Sequence, residues 1–156
     1  MDEERGPAAY RIHVWIRHIN PMISRRLIAR SESTLADLHY FIQMAFAWTD
    51  YHLHRFRIRG KEYGIPRLGG PWYSRDARDV RLIDFRFRVN ERFLYEYDFT
   101  DGWEHQVRIE QFIRRSRSQP IRCALAAAGR YRQRTAADQR HFRSAAMQPR
   151  GKRENC

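Results

Sequence analysis

From Tyr10 the chain alternates, with Tyr10, Ile12, Val14 and Ile16 on one side and Arg11, His13, Trp15 and Arg17 on the other. A period of two predicts a strand with one buried face. Asn20-Pro21 predicts a turn, and Ser24 to Ala29 predicts a second short strand antiparallel to the first. The period then lengthens: Leu35, Leu38, Ile42, Ala45 and Phe46 recur at the spacing of one helical face. Thr34 stands where a helix cap belongs, and Asp37 brings negative charge into the first turn. After Trp48-Thr49-Asp50 the alternation returns, placing His52, His54, Phe56 and Ile58 on one face and Leu53, Arg55, Arg57 and Arg59 on the other. Pro66 to Asp79 is rich in Gly, Pro, Arg and Asp and predicts a long loop. Val80, Leu82, Ile83 and Phe85 predict a short buried turn or strand.

Arg92 to Phe112 predicts a hairpin, and the pattern bears on its register. A two-residue loop at Asp101-Gly102 would set Phe99 against Glu104 and Tyr97 against Gln106, mixing apolar with polar. A three-residue loop, Thr100-Asp101-Gly102, pairs Phe99 with Trp103, Tyr97 with His105, Tyr95 with Val107 and Phe93 with Ile109. The second register makes one face an aromatic ladder and is the one expected. It also sets Asp98 opposite Glu104, which is unfavourable unless a cation lies between them. Helix and strands together predict an α+β domain, a mainly antiparallel sheet against one principal helix.

Composition changes this picture mainly through charge. The 156 residues suit one domain, and 30 Lys+Arg against 18 Asp+Glu give a net +12. Such a balance suggests a polyanionic partner. Its distribution weakens that inference, because residues 1–112 carry 18 basic and 16 acidic side chains, whereas 113–156 carry 12 and 2. The chain divides into a nearly neutral patterned domain, 8–112, and a basic segment, 113–156, whose composition predicts disorder. The acidic start without an apolar stretch predicts no signal peptide, and no apolar run reaches membrane-spanning length. Two cysteines, Cys123 and Cys156, make no disulfide framework, so a cytoplasmic chain is expected.

Two segments carry a family resemblance. Trp48-Thr49-Asp50-Tyr51-His52-Leu53-His54-Arg55-Phe56 and Tyr95-Glu96-Tyr97-Asp98-Phe99-Thr100-Asp101-Gly102-Trp103-Glu104-His105 resemble the signatures of the plasmid pRiA4b ORF-3-like family. Ile23 to Arg26 and Thr34 to His39 are similar too, so the resemblance covers roughly residues 10–112. It implies an α+β domain with no established enzymatic activity, associated with plasmids and insertion elements. Ser24, Ala47 and Thr100 depart from the family's usual Trp, Gly and Gly. The family's later Pro-Pro-Glu-Asp-Cys-Gly-Gly segment is missing. Back-translation of Tyr131 to Asp138, read from the third base of the tyrosine codon, permits it, so the resemblance implies out-of-frame translation after about Ile113.

The candidate chemistry is sparse. His52 and His54 share a strand face and could turn toward a divalent metal, with His105, Asp98, Asp101 and Glu104 as further ligands. The expected register opposes this, because it sets His105 on the aromatic face and Asp98 and Glu104 on the other. The plainer reading makes the histidines hydrogen-bonded structural residues. Arg55, Arg57 and Arg59 could track phosphates, against a reading as a solvated strand face. No G-x-S-x-G elbow, phosphate loop or dinucleotide fingerprint occurs, and a single helix forms no helix-turn-helix. The expected function is a non-catalytic binding module, for nucleic acid or protein, accessory to a mobile element. The alternative is a metal-binding enzyme built on the two histidines and the hairpin.

Overall fold

The computed structural model describes residues 6–114 and the short segment 125–126. Apart from Ile113, Arg114 and that segment, the basic stretch 113–156 lies outside the described residues, as do Cys123, Cys156 and the stretch Tyr131 to Asp138. Strands β1 (Ala9–Ile16) and β2 (Ser24–Arg30) lead into helix α1 (Leu35–Phe46). Strands β3 (His54–Ile58), β4 (Lys61–Gly64) and β5 (Arg75–Asp76) follow. Two 3-10 turns, Ala77–Asp79 and Leu82–Phe85, precede β6 (Arg92–Tyr97) and β7 (Trp103–Ile113), with β8 at Leu125–Ala126. All strands join one sheet in the order β5-β4-β3-β6-β7-β1-β2-β8, antiparallel except for β4 with β5. Sheet and helix make the α+β architecture. Among the described residues no helix is long and apolar enough to cross a membrane.

The core lies between one face of the sheet and the layer of α1 and the 3-10 turns. Tyr10, Ile12, Val14 and Ile16 face it as the alternation predicts, joined by Leu35, Leu38 and Ile42 of the helix. Each such buried aliphatic side chain contributes about 1.5–3 kcal/mol. Thr34 and Asp37 close a reciprocal cap on the first turn, at 3.1 and 2.8 Å. The helix stops at Ala47 in the left-handed conformation, φ 55°, so the departure from glycine there falls where a Cβ is disfavoured. Thr100 has no positive φ, and its departure from glycine carries no such strain. The loop expected over Pro66 to Asp79 contains β5 and a 3-10 turn, and the buried segment after it is the second 3-10 turn.

The hairpin corrects the expected register by two residues. Tyr97 faces Trp103, Tyr95 faces His105 and Phe93 faces Val107. The connection is therefore five residues, Asp98 to Gly102. Asp98 leaves the ladder because it satisfies the loop: at φ 58° its carbonyl accepts from the Gly102 N–H at 2.6 Å, and its Oδ1 accepts from the Thr100 and Asp101 N–H groups at 3.2 and 3.3 Å. A shift of two keeps every side chain on its face, so the aromatic ladder survives. The like-charged pair becomes Glu96 opposite Glu104, and each carboxylate takes an arginine from its own flank, Arg55 at 2.7 Å and Arg17 at 2.9 Å.

Candidate functional site

The helix, the turn after it, and the pair β3–β6 meet at one buried cluster. His39 and Gln43 are one turn apart on the inner face of α1. The left-handed cap lets the Trp48 N–H reach the Gln43 carbonyl at 2.8 Å, and the chain reverses into Asp50, itself at φ 53°. Strand β3 delivers His54, and β6 delivers Tyr95 opposite Phe56.

These groups close a ring of hydrogen bonds. Gln43 Nε2 donates to the Tyr95 hydroxyl at 2.8 Å, which meets His39 Nδ1 at 2.9 Å. His39 Nε2 meets Asp50 Oδ1 at 2.8 Å, and the Asp50 N–H donates to Gln43 Oε1 at 3.0 Å. Direction follows from the chemistry. The Gln43 amide can only donate, so the Tyr95 oxygen accepts and its proton goes to His39 Nδ1. His39 is then the Nε2–H tautomer and donates to Asp50. The reverse tautomer would strand the Tyr95 proton in a fully buried position.

His54 stacks on His39, with ring centroids 3.5 Å apart and planes inclined by 11°. Its Nε2 makes no hydrogen bond among the described residues. Burial, reinforced by His39 and Arg67, pushes the His54 pKa down to about 2. Burial also lowers that of His39, against the pull of Asp50, and raises that of Tyr95 well above the usual phenol. The interior thus holds neutral rings.

His39, Asp50 and His54 offer ligand atoms within 4.8 Å of one another, a metal-like grouping. The ring geometry does not suit an ion. A metal lies near the plane of each imidazole that binds it, and two stacked rings inclined by only 11° share no such point beside them. The Nε2–H of His39 is also spent on Asp50. Sequence reasoning missed His39, Gln43, Asp50 and Tyr95 as partners, because His39 and Gln43 fall between the apolar positions that mark the helix face and Tyr95 sits in a strand pattern that looks like plain core. The readable signal was a helix-face histidine four residues from a glutamine.

The other sequence-derived candidates fall in separate settings. His52 lies outside β3 with its side chain about half exposed, and its Nε2 is 3.6 Å from Oδ2 of the buried Asp98. His105 is fully buried; its Nδ1 donates to the Trp103 carbonyl at 3.1 Å, and burial pushes its pKa down to about 4. Asp101 stands exposed at the hairpin tip. Glu104 pairs with Arg17. Arg55 and Arg57 project from the outer face and share Glu62 and Glu96, while Arg59 pairs with Glu91 at 2.8 Å. The loop between β4 and β5 reaches back over the cluster: Arg67 lies 3.7 Å from Asp50, and the Tyr73 hydroxyl donates to the His54 carbonyl at 2.9 Å. A side chain at Gly64 would collide with the Tyr73 ring, so glycine permits that approach.

Fold and site define a class: a single-sheet α+β domain whose two aromatic-histidine segments meet around a closed His–Tyr–Gln–Asp ring. The chain belongs to the plasmid pRiA4b ORF-3-like family, whose profile matches residues 8–137 and so runs past Phe112. It is similar to the uncharacterized protein y4hQ of Sinorhizobium fredii, 36% identical over 102 residues, which are 65% of this chain and 53% of that protein. The chain thus spans about half the length of this curated relative. It also resembles the crystal structure of MM3350 from Methanosarcina mazei Go1, a protein of unknown function. The TM-score is 0.63 and the identity 32%, over 75% of this chain and 67% of that one.

Proposed function

We propose that the domain is a non-catalytic binding module whose contact surface is the loop layer over the His39–Asp50 ring, and that its partner is a protein. The observation behind this is the contrast between what the site hides and what it displays. The hydrogen-bonding groups of the ring are spent on one another, while Tyr51 is 80% exposed and Trp72 95% exposed, with Leu68 fully exposed. The Arg67–Asp50 and Tyr73–His54 contacts bring the two loops that carry these side chains to the same end of the sheet. Large apolar side chains gathered on a surface favour a protein interface over a nucleic-acid one. The arginines of the sheet support the same choice, since Arg55, Arg57 and Arg59 each face a carboxylate.

Full-length protein and the variant Y51S/L68S/W72S, used as baits after nuclease treatment, test this reading. A protein retained by the wild type in both low and high salt, and lost by a variant of unchanged melting temperature, is the expected result. Binding that disappears with nuclease, or falls steeply with salt as phosphate contacts do, would replace it with the nucleic-acid reading. In this account the module is cytoplasmic and accessory to a mobile element, and a frameshift between about Ile113 and Arg130 sets the last part of the chain out of frame, a reading against which the profile match to residue 137 stands. Sequencing the gene tests the last point: an early stop in the shifted frame removes it.

A further inference from the structure

A second site lies at the other end of β3 from His54, on the same inner face of the sheet. A cavity of about 220 Å³ opens between the β3–β4 hairpin and the 3-10 turns. Its floor is apolar, made by the buried side chains Ile58, Tyr63, Val80 and Phe85. The rings of Tyr63 and Phe85 meet edge to face at 5.4 Å, which fixes the shape of that floor.

The rim is cationic. The two-residue turn Arg59-Gly60, with φ 48° and 75°, folds Lys61 back against Ile58. Strand β5 sets Arg75 beside Tyr63. The lining carboxylate does not neutralise them by contact: both Asp84 oxygens accept from Arg81, its backbone N–H at 2.9 Å and its guanidinium at 3.1 Å. Arg59 is taken up by Glu91. Neither Lys61 nor Arg75 meets a described carboxylate within 4 Å, although Asp84 feels the Arg75 charge at longer range. Two cations above an apolar floor match a ligand with one negative group and one flat apolar body. The volume is below the ~300–1,000 Å³ of sites for drug-sized ligands, which limits that body to a single ring.

We propose that this cavity binds a small aromatic monocarboxylate, its ring on Tyr63 and Phe85 and its carboxylate between Lys61 and Arg75. Benzoate is the probe, titrated into the full ¹⁵N-labelled chain and followed by amide shifts. The expected result is saturable movement at Ile58, Lys61, Val80 and Phe85, with affinity reduced about tenfold in K61A/R75A, the loss of two charge-assisted contacts. Benzyl alcohol, equal in its ring but uncharged, is expected to bind as weakly as benzoate binds the variant. Absence of saturable shifts, equal affinity in the variant, or inorganic phosphate binding as tightly as benzoate would each overturn the proposal.

Discussion

On the inner face of the sheet His39, His54, Tyr95 and His105 are sealed from water and neutral, and His39 and Tyr95 are held by bonds of 2.8 to 2.9 Å. On the outer face Arg17, Arg55, Arg57 and Arg26 meet Glu104, Glu96, Glu62 and Glu110 as partly exposed ion pairs. Both faces are polar, yet their energetics differ in kind. A buried group that loses its partner costs its full desolvation, whereas an exposed pair exchanges its partner for water. The inner polar cluster should therefore control stability, and the outer lattice should control solubility and little else.

The largest break in that comparison is Tyr95→Phe. It leaves His39 Nδ1 and the Gln43 amide unpartnered in the interior, and roughly 2–5 kcal/mol of unfolding free energy should be lost. Urea unfolding checks it, and a loss below about 1 kcal/mol would mean that the ring is loosely held. Acid comes next. Burial holds the folded pKa values of His54 and His105 at about 2 and about 4, below the ordinary imidazole value of 6.5. The unfolded chain therefore binds protons first, and stability present above pH 6.5 is lost as pH falls. The slope is about 1.4 kcal/mol per pH unit for each histidine. It persists to about pH 4 for His105 and continues below that for His54. His54→Phe, which keeps a flat ring over His39, should remove one share of the slope in melting curves taken from pH 7 to 4.

A smaller effect separates backbone from side chain. Ala47→Gly relieves a left-handed alanine and should stabilise by about 1 kcal/mol in the same unfolding assay. The smallest belongs to the outer face: Arg57→Ala removes a half-exposed partner of Glu62 and should cost less than about 1 kcal/mol, a difference that shrinks in high salt. An outer-face loss as large as that of Tyr95→Phe would erase the distinction between the faces.

The parts of this molecule readable from sequence are those set by local pattern. The period of two in β1 and the capped helix at Thr34 each follow from a few neighbouring side chains. The hairpin register was not readable, because an aromatic ladder looks the same after a shift of two and only the Asp98 loop contacts select one. For the site the limit is similar. His52 and His54 look equivalent in the alternation, but β3 begins only at His54, so one ring enters the core and the other stays in a solvent-facing turn. The partners His39 and Tyr95 are 56 residues apart, and no spacing rule relates a helix face to a strand so distant.

The central claim is that His39 is closed into the ring as the Nε2–H tautomer and has no lone pair to offer outward at that atom. Long-range ¹H–¹⁵N correlation of the imidazole nitrogens, with and without added Zn²⁺, measures this directly. The account predicts a protonated Nε2, an unprotonated Nδ1 and no change with zinc. A protonated Nδ1, or an Nε2 resonance that moves on adding zinc, would contradict it.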